Sequence, residues 1–268
     1  MTSSMRRLSQ MAKPTTFPPI NRKDGMWLIG LVIGLAWLAL WLGHHNHSDY
    51  PFMSLSATNP ADMSLLVAFS GWELMLVAMM LPTMIPMFSL FSRMIQHRPH
   101  RAILRTLLIL GYLTPWTLSG LAFIAMFKEA HSIVNQSSAI HPLSWLLGPT
   151  ILIAAGLYQF SSMKYACLQQ CRSPLSFVLK YWQGRNERQE AYRLGIGHGL
   201  FCMGCCWLLM LTMSITGLNH LGWMLGFGTA MAIEKNLPKG SLIRKPLGMT
   251  LITWGMILVV NGLAFGSR

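Results

Sequence analysis

Charge is scarce in this sequence, and negative charge is scarcest. Asp and Glu together number 8, and charged residues make up only 11% of the 268, against roughly 25% in ordinary soluble domains. Beside a hydrophobic fraction of 53%, this points to a membrane protein. Several motifs are also missing. There is no glycine-rich nucleotide loop, no HExxH zinc-protease pattern and no nucleophile elbow, so the sequence offers no hydrolase machinery. No internal repeat divides the chain, which reads as a single unit.

A cleavable signal peptide is not evident either. The first apolar run, Met26 to Gly43, has 18 residues, longer than a secretory core of roughly 7 to 15, and no small-residue cleavage site follows it. Residues 1–25 are polar and basic, with Pro14, Pro18 and Pro19. They read as a mobile cytoplasmic tail ahead of a retained helix.

Seven apolar segments stand out, at about 26–43, 64–91, 103–127, 143–166, 194–216, 220–236 and 246–265. Each compares with the roughly 20 residues that a spanning helix needs. The expected fold is an all-α polytopic bundle of about seven transmembrane helices. Six remain an option, because 220–236 is short and carries Glu234. Residues 26–268 form one helical-bundle domain in this reading, with a polar cytoplasmic connection at about 167–193. Within it SPLSFVLKYW suits a short amphipathic surface helix, with Lys180 and Trp182 at the interface. Trp27, Trp37 and Trp41 fit an interfacial aromatic belt.

The net charge of +13 is mostly a topology signal. Nineteen of the 21 Lys and Arg residues fall on one side of the seven-span arrangement, and only Lys128 and Arg268 on the other. The positive-inside rule then places the N-terminus in the cytoplasm. Nucleic-acid binding is not needed to explain the charge, so membrane lipid is the expected partner.

What the sequence does hold is soft ligands. Methionine occurs 21 times, and three of the 5 cysteines lie in GIGHGLFCMGCCWLLM, residues 195–210. With His198 as zero on a helical wheel, Cys202 lies at about 40°, Cys205 at about −20° and Cys206 at about 80°. All four occupy one stripe about 100° wide, and Met213 continues it near 60°. Gly195, Gly197, Gly199 and Gly204 thin the same segment, so a second helix can approach closely. Cys167 and Cys171 of CLQQC share a face four residues apart, with Met163 one turn earlier. His198 and Cys202 are expected roughly 6 to 12 Å from the cytoplasmic end of their span, near the matching end of the span that carries Cys167. The two thiol groups should therefore converge. CRSP should end a helix before Pro174.

A third row, Glu73, Met80, Met84 and Met87, shares a face of the second span, which Pro82 and Pro86 interrupt. Glu73 is the only acid deep in an apolar span, where ionisable residues are functional candidates. Glu234 lies at the depth of His198 and is placed to orient its imidazole.

Thiolate and thioether together select Cu(I), and thiolate with imidazole also suits Zn(II). The many methionines favour copper and a path of weak sites. The expected ligands are His198, Cys202, Cys205, Cys206, Cys167 and Cys171, with Glu73, Met80, Met84, Met87, Met163, Met213 and Glu234 as auxiliaries. HHNH at 44–47 lies outside, where it either captures metal or forms a solvated turn.

These residues resemble a known family. HGLFCMGCCWLLM, YACLQQCRSPLSF, WELMLVAMMLPTMIP, GLNHLGWM and the Glu234–Lys235 pair resemble the bacterial predicted metal-binding integral membrane proteins catalogued as domain of unknown function 2182. The resemblance covers roughly residues 65–240. It implies a multi-span fold in the bacterial inner membrane and a metal site for handling copper, without a defined reaction. Glu73 stands where a small hydroxyl residue belongs in that pattern, so the resemblance gives it no role.

Three functions fit these residues. The first is a Cu(I)-handling membrane protein that delivers the ion to a copper enzyme or assembly factor, or transports it. The second is a membrane thiol–disulfide oxidoreductase, although CxxxC and CxxCC match the CxxC redox motif poorly. The third is a structural subunit whose thiols only pack.

Overall fold

The computed structural model describes residues 26–45, 65–136, 145–215, 221–237 and 240–265. The tail 1–25 lies outside them, as does the end of the HHNH string. Every regular element among the described residues is helical. The helices are α1 (Met26–His45), α2 (Leu65–Met94), α3 (Arg101–Gln136), α4 (Leu147–Tyr158), α5 (Ser162–Arg172), α6 (Pro174–Tyr181), α7 (Glu187–Ile215), α8 (Leu221–Asn236) and α9 (Arg244–Phe265), with a 3₁₀ turn at Gly240–Ile243 leading into α9.

The all-helical reading holds, but not every expected span is long enough to cross a bilayer. Among the described residues five helices are long and apolar enough to cross a membrane: α1, α2, α3, α7 and the last, α9 with its leading 3₁₀ turn. α4 has 12 residues and α8 has 16. At 1.5 Å per residue these measure about 18 and 24 Å, short of the roughly 30 Å hydrocarbon core.

The expected segment at 143–166 is broken by its own polar residues. α4 stops at Tyr158, and Ser161 adopts an extended backbone. Its hydroxyl accepts the Met163 N–H at 3.1 Å and so caps a new helix, α5. The change of direction turns Lys164, fully buried, into the bundle. α5 ends at Arg172 and Pro174 opens α6, as a proline that suits the first turn but not a helix interior requires. α6 buries Phe177 and Val178 while leaving Leu175 and Leu179 exposed, the one-sided pattern of a surface helix.

In lipid, apolar burial gives helices little reason to associate, so close packing through small residues must supply it. The most extensive pairing, α3 with α7, is of this kind. A Cβ on Gly195 would strike the Leu108 carbonyl oxygen and stand 2.8 Å from the Tyr112 nitrogen. A Cβ on Gly199 would reach the Tyr112 carbonyl at 2.5 Å. Gly111 lies against the Tyr192 carbonyl in return. α4 and α9 pair similarly through Gly156, Gly248 and Gly255.

Pro82 has no N–H, so the Ala78 carbonyl one turn earlier loses its helical donor. Trp37 of α1 donates its indole N–H to that oxygen at 3.1 Å. Trp37 therefore ties α1 to α2 and does not serve a surface belt, whereas Trp27 and Trp41 are exposed. At the end of the bundle that carries α6, the Glu190 carboxylate accepts the backbone N–H groups of Gln183, Gly184, Arg185 and Asn186. Arg98 pairs with Glu187 at 2.9 Å. These contacts fix where α7 begins.

Candidate metal centre

The four-residue stripe on α7 faces inward as a unit. His198, Cys202, Cys205 and Cys206 are all buried. The four glycines do not serve one neighbouring helix, however. Gly195 and Gly199 meet α3, Gly197 meets the rings of Phe177 and Tyr181 on α6, and Gly204 meets Cys167 on α5. α7 is thus the hub on which three helices converge at the thiols.

Cys202 has the most structured surroundings. Its Sγ lies 2.9 Å from the Tyr112 hydroxyl and 2.9 Å from Lys235 Nζ, with the Thr83 hydroxyl at 3.9 Å. Thr83 and Tyr112 are held in turn. Both donate to the Met80 carbonyl, at 2.8 and 3.1 Å, and they lie 3.3 Å from each other. Lys235 also donates to Thr83 at 3.4 Å. One sulfur is therefore surrounded by groups from α2, α3 and α8.

Cys205 donates to the Cys202 carbonyl at 3.1 Å, and its Sγ lies 3.4 Å from that of Cys206. From α5, Cys171 bonds to Cys205, and Cys167 is within electrostatic range of Cys206. The two expected thiol groups do converge, and all five cysteines are free. His198 sits between Tyr112 and Phe177, with ring centroids 5.6 and 5.9 Å away, and its buried Nδ1 has no partner.

No three His, Cys, Asp or Glu side chains among the described residues are grouped tightly enough to hold a metal ion. The thiols are neighbours, but they are bonded to other groups: Cys202 to Lys235 and Tyr112, Cys205 to a backbone carbonyl. A cysteine side chain has one heavy-atom rotor. Turning Cys205 Sγ inward gives up one hydrogen bond, about 1 kcal/mol, so the donor set suits a soft cation after a small rearrangement.

Residues 69–258 match the sequence profile of a family named PpoB2 and described as a copper chaperone. This chain belongs to that copper-chaperone family. No curated protein and no solved structure matches it. The match spans every helix of the thiol cluster and supports a copper-related role.

In this copper-chaperone family member the auxiliary residues separate. Met80, Met84 and Met87 are buried in the core with Met79, which packs against Gly228 of α8. Met213 is buried further along α7. Met163, on the same helix as Cys167, is 61% exposed and stands apart from the buried thiols. Glu73 accepts from Thr117 and lies two turns from Met80, about 10 Å along α2.

Glu234 does not orient His198. Its Oε2 accepts from Lys164 at 3.0 Å and its Oε1 has no partner. Lys164 also bonds to Gln159, and Arg172 donates to the Glu234 and Leu237 carbonyls. Counting Lys and Arg for orientation treated Lys164 and Lys235 as surface charges, yet they are 0% and 6% exposed. The available signal was the adjacent Glu234–Lys235 pair at the end of an apolar helix. Tyr112 and Thr83 carried no sequence signal.

Proposed function

We propose that this chain is a multi-pass protein of the bacterial inner membrane that takes up Cu(I) as cargo on its α5 and α7 thiols and delivers it to a copper enzyme under assembly. The observation that carries this reading is the convergence of five free thiols from two helices, three of them buried, in a chain of a copper-chaperone family. Cys202, paired with Cys205 or Cys206, supplies the two primary donors. Cys167 and Cys171 are exchange partners, and the unpartnered Nδ1 of His198 is an additional donor.

The arrangement suits transfer better than storage. A closed structural site fixes its ligands around the ion, as structural zinc sites do. Here the thiols exceed the few that a soft monovalent ion needs, and Cys202 and Cys205 have other bonding partners to return to when the ion leaves. Cu(I) can then pass between sulfurs without an uncoordinated state.

Elemental analysis of anaerobically purified protein tests the proposal. Wild type should retain copper in stoichiometric amount, and Cys202→Ala with Cys205→Ala should lose it. Copper content unchanged by the double substitution would defeat the reading.

A further inference from the structure

Lys235 is a buried cation without a carboxylate. It occupies the last turn of α8, and its two hydrogen bonds go to the Cys202 sulfur and the Thr83 hydroxyl. Its neighbour Glu234 faces the other way and pairs with Lys164. Among the described residues no ion pair joins Lys235 to Asp or Glu. Lys164 and Glu234 cancel, which leaves the Lys235 ammonium beside the Cys202 sulfur with no carboxylate to match it among the described residues. It is within electrostatic range of Cys202, Cys205, Cys206, Tyr112 and His198.

We propose that Lys235 is the specificity-determining residue of the thiol site, selecting a monovalent over a divalent cation. The inference rests on the reading that these thiols bind Cu(I). Binding is written so that charge balances. Cu(I) joins Cys202 and one neighbouring cysteine, each thiol giving its proton to solvent, and the bis-thiolate complex carries one negative charge. That charge is matched by Lys235, and the cluster is neutral. A divalent ion on the same two sulfurs gives a neutral complex and leaves the ammonium buried and uncompensated, which is costly. The two cases differ by one unit charge a few ångströms from Lys235. At the effective dielectric of a protein interior this corresponds to roughly a hundredfold in relative affinity.

Anaerobic titration of purified full-length protein with Cu(I) and with Zn(II), each against a chromophoric chelator, measures the ratio of the two dissociation constants. Lys235→Met should narrow the preference for copper by about tenfold or more, chiefly through tighter zinc binding, while Lys235→Arg keeps it. Lys235→Gln retains a donor without the charge and gives the same reading if the methionine variant does not accumulate. A neutral variant with the wild-type ratio overturns the inference and leaves the copper reading intact. Wild type that binds no Cu(I) overturns the copper reading, and the selectivity role falls with it.

Discussion

Gly204 of α7 and Cys167 of α5 are in direct contact: a Cβ at position 204 would stand 2.8 Å from the Cys167 sulfur. The absence of a side chain at 204 is what lets the α5 thiols reach the α7 thiols. Gly204→Ala should therefore push Cys167 away from Cys206 and lower copper retention, although position 204 has no donor atom. The accompanying loss of stability should be about 1–3 kcal/mol, the usual cost of overpacking. Copper content and thermal unfolding in detergent report the two effects, and Cys167→Ala in the same background should relieve the strain.

Tyr112→Phe should free Cys202. The hydroxyl lies 2.9 Å from the sulfur and donates to the Met80 carbonyl, which keeps Thr83 as a second donor after the change. The stability cost should be about 1 kcal/mol. Alkylation of Cys202 should become faster, and the rate is read by mass spectrometry of labelled protein. An unchanged rate would mean that the tyrosine does not restrain the thiol.

The Lys164–Glu234 pair predicts strong coupling. Both side chains are buried, so removing either alone strands a charge. Lys164→Met or Glu234→Leu should each cost about 3–5 kcal/mol, and the double substitution much less than their sum. A double-mutant cycle by thermal unfolding in detergent measures the difference. Additive losses would contradict a buried, paired arrangement.

The helices and the inward thiol stripe were legible because both depend on spacing alone. The 3.6-residue period places His198, Cys202, Cys205 and Cys206 on one face whatever surrounds them. The break at Gln159–Ser161 was hidden because two polar residues in an apolar run change its mean hydropathy little, while one serine cap redirects the chain. Lys164 and Lys235 were misread because they lie near helix ends, where lysine ordinarily reaches water. Their burial depends on Glu234 and Cys202, partners that only the tertiary fold supplies.

The α3–α7 interface provides the sharpest test of how the site is built. At Gly195 an added Cβ would meet the Leu108 carbonyl, the Tyr112 nitrogen at 2.8 Å and the Gly111 Cα at 2.9 Å. All three are backbone atoms, so no side chain can turn aside and α3 itself must shift. Tyr112 would move with it, away from Cys202. At Gly197 the nearest atoms are ring carbons of Phe177 and Tyr181, at 3.0 and 3.3 Å, which can yield. At Gly226 on α8 nothing lies within 4 Å. Gly195→Ala should therefore lower both thermal stability and copper retention, and Gly197→Ala should have a smaller effect. Gly226→Ala should be neutral or stabilising, by up to about 1 kcal/mol, because alanine is the better helix former. The order of the three variants follows from what each Cβ meets, and an equal effect at all three positions would show that close α3–α7 packing does not position the thiol site.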